Sequence, residues 1–157
     1  MNDLQRVTVM NRAVAERSGE FVSFFDAPEA KFGMGSLANR FGGQEQRIET
    51  ICLDDAVKQA GISHVDVIKV DVEGFELGVF RGASSILSQS RAPVIVFEFN
   101  DWAEERPEAH QRAGDAQRFL LECGYRIQTV SSFLAGGRAL ESVLVHGGAD
   151  LVATREP

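Results

Sequence analysis

The order of apolar runs predicts an α/β chain with an at least partly parallel sheet. Two nearly continuous runs, "VDVIKV" at 65–70 and "PVIVFEFN" at 93–100, have the β-branched and aromatic composition of parallel strands covered on both faces. Segments of helical period lie between and after them, "GFELGVF" and residues 109–123, "AHQRAGDAQRFLLEC". At the end of the chain, "SVLVH" and "LVATR" are joined by "GGAD", which reads as an antiparallel hairpin.

The remaining elements follow in order. "RVTVMNRAVA" alternates as a strand does, and "SG" at 18–19 turns it into "EFVSFF", a second hairpin. Residues 26–46 contain Pro28 and four glycines without a sustained period, so they form a loop of the kind that often serves as a lid. "RIETICL" is a strand. Asp54 then caps a short helix that runs through Ala60 and stops at Gly61. "GFELGVF" turns Leu77 and Phe80 inward, and "SSILSQS" continues or restarts that helix. In the 109–123 helix, Ala113, Ala116, Phe119, Leu120 and Cys123 share a face, and Gly124 ends it. "YRIQTV" is the next strand.

Composition narrows the function classes. A length of 157 residues suits one domain around one core, with 44% hydrophobic and 25% charged residues. A net charge of −7 without a basic stripe excludes nucleic-acid binding, which relies on clustered Lys and Arg. Apolar runs such as "VIVF" fall far short of a membrane span, and "MNDLQR" lacks a signal core, so no membrane partner is expected. Cys52 and Cys123 have neither paired nor metal-ligand spacing and read as buried thiols of a reducing, cytoplasmic protein. His64, His110 and His146 are scattered, without zinc spacing.

The chemistry concentrates at "VDVIKVDVEGFE". Lys69 and Asp71 share one strand face, with Glu73 following in the same parity just past the end. Ligands of open α/β sheets bind beyond the carboxyl ends of the strands. Glu98 and Asn100 occupy the corresponding end of the next strand, so three carboxylates and an amide converge on one crevice. Lys69, an ammonium inside a sheet, needs a partner among Asp71, Glu73 and Glu98. A structural ion pair with a capping acid accounts for the same residues, and so does Mg²⁺ held by Asp71, Glu73, Glu98 and Asp101. No metal is assigned.

"VDVIKVDVEGFELGVFRGASSIL", followed by "PVIVFEFN", closely resembles the FkbM family of S-adenosylmethionine-dependent methyltransferases. Lys69, Asp71, Glu73, Gly74, Glu76, Arg81, Gly82 and Ala83 match the family pattern of an apolar strand, a Lys, acids, Glu-Gly, a short helix and Arg-Gly-Ala. "NRAVAERSGE", "GMGSL", "TICLDDA" and "DLVATRE" are similar to flanking family segments, so the resemblance spans nearly the whole chain. It implies a partial Rossmann-like methyltransferase sheet, mixed with a C-terminal antiparallel hairpin and with helices on both faces. Residues 1–157 then form a single, truncated domain that begins just before the family's third strand, because its glycine-rich cofactor turn, Val-Asp-Val-Gly-Ala-Asn-x-Gly, has no match.

The resemblance implies methyl transfer from S-adenosylmethionine to a small-molecule hydroxyl of a sugar, polyketide or other secondary metabolite. Asp71 would face the sulfonium, with Asn11 and Ala13 bordering the adenine. Glu73 or Glu98 would orient or deprotonate the acceptor, which Ser36 and Asn100 would contact. "GMGSLA" fits a dinucleotide-binding pattern by letters only, since no strand precedes it and no helix follows. Gly74, Gly78 and Gly82 are spaced for close helix packing. The alternative is a non-catalytic remnant acting as an interaction module or homodimer, because the strand at 65–70 would be left with an open edge.

Overall fold

The computed structural model describes residues 7–25, 44–105 and 107–156. Two sheets organise them. The smaller contains β1 (Ala13–Val14), β2 (Phe21–Phe25) and β3 (Glu45–Ile51) in the order β1-β3-β2. β3 pairs in parallel with β1 and antiparallel with β2. The expected hairpin between the first two strands is therefore absent, and both pair with β3 instead. Thr50 explains this, since its buried hydroxyl donates to the Arg17 carbonyl and accepts from the Glu20 amide. The connecting turn is thus held on β3. Residues 7–12 alternate in sequence but form no strand, and Val7 and Val9 stay exposed. Glu45 and Gln46, expected in the loop, belong to β3, while 26–43 of that loop lie outside the described residues.

The larger sheet has the order β4-β5-β7-β6, formed by β4 (Val67–Val70), β5 (Val94–Asn100), β6 (Arg126–Thr129) and β7 (Gly148–Thr154). β4 and β5 run parallel, as their composition predicted, and β7 is antiparallel to both β5 and β6. The architecture is mixed α/β. The closing antiparallel pair exists, but its first member is β6 rather than 142–146, which form no strand. Residues 142–146 are taken up elsewhere, with Gln117 exchanging two hydrogen bonds with the Leu144 backbone.

The helices are short: α1 (Leu53–Gln59), α2 (Glu76–Arg81), α3 (Ser84–Leu87), α4 (Asp101–Glu104), α5 (Asp115–Glu122) and α6 (Val130–Leu134). The α5 pattern was expected from 109, but Pro107–Ala109 form a 3₁₀ turn and Gly114, at φ 83°, sets the start. Gly61 (φ 67°) and Gly124 (φ 85°) end α1 and α5 as expected.

Ile95, Phe97 and Phe99 of β5 meet Leu77 and Phe80 of α2, Leu87 of α3 and Leu120 of α5 in one core. Phe80 and Phe97 cross edge to face at 5.4 Å. β4 departs from the expectation of burial on both faces. Val70 is buried with the core, whereas Val67 is 60% exposed. Among the described residues β4 is an edge strand and pairs on one side only.

Asp54 does not cap α1, whose N-cap is Cys52. Its carboxylate instead accepts from the Ser85 and Ile86 amides of α3, at 2.9 and 3.1 Å, and joins the two parts of the structure. Gly82 completes this junction: a Cβ there would lie 2.3 Å from the Ala15 carbonyl oxygen, while one at Gly78 meets nothing nearer than 3.9 Å. Gly82→Ala is expected to lower the urea-derived unfolding free energy by about 2 kcal/mol or more, through forced backbone displacement. Gly78→Ala, inside α2 with room for its methyl, is expected to be neutral or to stabilise by up to about 1 kcal/mol.

Candidate functional site

β4 ends at Val70, and its register against β5 pairs Lys69 with Val96 and Val70 with Phe97. Extending that register one residue brings Asp71 beside Glu98. On the far side of β5, Glu98 pairs with Asp150 of β7. The expected acids Asp71, Glu73 and Glu98 are therefore brought together, and Asp150 joins them. Desolvation pushes the half-buried Glu98 carboxyl above the usual carboxylate range, and the charges of Asp71, Glu73 and Asp150 push it further. Lys69 opposes this.

Lys69 takes the partner assigned to it, with Nζ 2.7 Å from Asp71 Oδ2. The reason differs from the one expected. Their side chains are 67% and 49% exposed, so water, not necessity, surrounds this pair. The pair borders a cavity of about 220 Å³ along the unpaired edge of β4, whose apolar wall includes Val14, Leu53, Ile68, Val72 and Val79.

Beyond Asp71 the chain turns sharply. Glu73 and Gly74 both have left-handed backbones, at φ 57° and 100°. A Cβ on Gly74 would fall 2.3 Å from the Ala103 carbonyl oxygen, so α4 presses directly on the turn. Glu76 Oε1 accepts from the Val72 and Gly74 amides, each at 3.3 Å. Gln111 Nε2 donates to the Gly74 carbonyl at 3.1 Å.

Asn100 lies at the end of β5, half-buried, with its Oδ1 enclosed and without a hydrogen-bond partner. Asp101 is already committed, since its carboxylate accepts from the Gly147 and Trp102 amides and those bonds hold it below the usual range. Among the described residues, no three His, Cys, Asp or Glu side chains are grouped to hold a metal ion. Asn11 and Ala13 are in the smaller sheet, with Ala13 within β1 and Asn11 exposed just before it. Of that region only Val14 reaches the cavity. Ser36 and the rest of "GMGSLA" lie outside the described residues. The thiols of Cys52 and Cys123 are free and only half-buried, in contrast to the burial expected. His64 pairs with Asp66 at 3.1 Å.

Two features escaped sequence reasoning. Asp150 sat in "GGAD", read as a turn, and only the β5–β7 register reveals its place. Glu104 lies in a polar stretch yet is fully buried. Its carboxyl is raised to about 7, chiefly by burial. Replacing Lys69 with Met is expected to raise the Glu98 titration midpoint, measured by carbon NMR of its carboxyl group. Unfolding free energy should change by less than about 1 kcal/mol, because the lost ion pair is exposed.

The model of the methyltransferase FkbM domain matches residues 5–127. Comparisons with curated proteins and with solved structures return no match. The matched span runs from before β1 into β6 and includes Lys69, Asp71, Glu73, Glu76, Glu98 and Asn100. It also includes the α4 and α5 segments that buttress the turn after β4. No helix among the described residues is long and apolar enough to cross a membrane. With most of its length matched, the chain belongs to the FkbM family of methyltransferases.

Proposed function

We propose that the chain serves S-adenosylmethionine-dependent O-methylation of a small hydroxyl compound such as a sugar, polyketide or other secondary metabolite. The observation that carries this reading is the meeting of Asp71, Glu73 and Glu98 at the adjoining ends of β4 and β5, with Glu98 titrating above the ordinary carboxylate range. The residues fit one end of the cofactor. The cavity beside Asp71 has apolar walls and a carboxylate, which suits the methionine and sulfonium portion. The adenosine end finds less, because the chain contains no segment like the family's glycine-rich turn.

When bound, S-adenosylmethionine supplies a methyl group activated by its sulfonium. Asp71, held by Lys69, would offer negative charge to that cation. Glu98 suits the role of base: its raised affinity for a proton matches it to a hydroxyl better than an ordinary carboxylate would be. From that position Glu98 would take up the proton of an acceptor hydroxyl bound at the strand ends. Asn100, with its enclosed Oδ1, is assigned to orienting the acceptor, and Glu73 to shaping the same crevice. The free thiols support a reducing cytoplasm as the compartment.

A second reading, a dimerisation module with no catalysis, is favoured by the unpaired edge of β4 and the exposed Val67. Light scattering with a cofactor titration separates the two: a stable dimer indifferent to cofactor supports the module. For the enzymatic reading, Asp71→Asn is expected to lower turnover at least about tenfold. Unchanged kinetics would remove Asp71 from the site. The 157-residue chain alone is expected to bind S-adenosylmethionine more weakly than about micromolar by calorimetry, with most of the adenosine cradle lacking. Because Glu98 must lose its proton to act as base, the rate should rise with pH through its raised midpoint.

A further inference from the structure

We propose that Glu76 and Glu104 share a single proton between their enclosed carboxyl oxygens, and that this pair positions the turn bearing Asp71 and Glu73. Both residues are buried, at 2% and 0% exposure. Each has one oxygen already hydrogen-bonded. Glu76 Oε1 accepts from the Val72 and Gly74 amides, and Glu104 Oε2 accepts from the Gly114 amide at 2.6 Å. Their remaining oxygens, Glu76 Oε2 and Glu104 Oε1, are both enclosed and without a hydrogen-bond partner. Two ionised carboxylates in that condition would each leave a buried acceptor unsatisfied and would repel one another. One proton removes both costs, because the protonated Glu104 can donate to Glu76 Oε2.

The charges around the pair favour this arrangement. Glu104 faces Glu76 of α2, together with Asp115 and Arg118 of α5. The two acids push its carboxyl up and Arg118 pulls it down, with burial the largest influence. Glu76 is likewise raised, chiefly by burial, with a contribution from Glu98 of β5. Lysine is absent from both sets. Glu104 therefore keeps its proton far above the usual carboxylate range, its carboxyl being raised to about 7, so the proton is held in mildly acidic solution and lost above neutrality.

The pair matters because of what it holds. Glu76 closes the turn after β4 by binding its two amides, and Glu104 anchors the N-terminal end of α5 while lying one residue from Ala103, which presses on Gly74. Loss of the proton sets two buried charges against each other across that junction. The turn then loosens, and Asp71 and Glu73 with it. Glu76 and Glu104 are positioning residues, for they act through the turn and touch no reacting atom.

The sign of the linkage is fixed by the raised Glu104 carboxyl. Folded chain holds the proton up to about 7, while unfolded chain releases it near 4.5. The stabilising contribution is complete below the lower value and is lost as pH rises towards 7.

Hydrogen exchange at the Val72 and Gly74 amides, normalised to intrinsic rates, tests the pair in the 157-residue chain at pH 5.5 and 8.5. Protection of both amides should fall at least about tenfold at the higher pH, because at pH 5.5 the closed turn holds a proton that the opened one releases, whereas at pH 8.5 both have lost it. Glu104→Gln, whose amide still donates to Glu76 Oε2, should keep protection equal at the two pH values. Equal protection in the unsubstituted chain would overturn the proposal, and so would the same fall in Glu104→Gln. Should Glu104→Gln not fold, Glu76→Gln decides by NMR titration of Glu104. Its midpoint should drop by at least about one unit when the neighbouring charge becomes a donor, and an unmoved midpoint rejects the pair. The positioning role rests on the functional reading of Asp71 and Glu73. The exchange measurement needs neither cofactor nor acceptor, so its failure leaves that reading standing, and loss of that reading leaves the proton pair intact.

Discussion

Gly74 lies so close to the Ala103 carbonyl that only a residue without a side chain fits, and Glu73 beside it accepts a left-handed backbone that L-residues disfavour. Everything at the site depends on that contact. It turns the chain from β4 into α2 within a few residues, so that Asp71 and Glu73 remain over the strand ends. It also sets α4 directly on the turn, so the end of β5 and the end of β4 are held as one unit. The strain of the left-handed step is offset by hydrogen bonds from two amides to Glu76 and from Gln111 to the Gly74 carbonyl.

Gathering acids in this way costs electrostatic energy, and the structure distributes the cost between two layers. The outer layer, with Asp71, Glu98 and Asp150 near Lys69, is partly solvated, so water and one ammonium moderate the repulsion. Beneath it, Glu76 and Glu104 have no such relief, and burial drives their carboxyls toward the protonated form. The wet layer keeps its charges solvated, while burial in the dry layer beneath favours the protonated form. That division leaves exposed charge at the strand ends above a buried, desolvated support.

The smaller sheet is joined to this unit by polar and steric means rather than by shared strands. Asp54 binds the amides of α3, and Gly82 admits the Ala15 backbone. The edge of β4 that no described strand pairs faces that junction, where Val14 meets Ile68, Val70 and Val72 across a cavity.

The β4 and β5 strands, their parallel pairing and the inward turn of Leu77 and Phe80 were legible from composition, because burial demands apolar side chains at a fixed period wherever the partner lies. Parity along the two strands likewise brought Asp71, Glu73 and Glu98 to neighbouring strand ends. Partner choice was not legible: "RVTVMNRAVA" alternated yet gained only a two-residue strand, and "SVLVH" lost its place beside β7 to β6. Alternation states which face is apolar but not what will cover it. Acidic residues hide their fate for the same reason. Asp54 reads as a cap for its own helix and serves another, and Glu104 reads as surface and lies fully buried. Local sequence determined the central strands and helices and the acidic character of the strand ends, since these follow from side-chain polarity and period. Tertiary structure alone decided the register, the fourth acid and the buried carboxyl pair, since these depend on distances between segments remote along the chain.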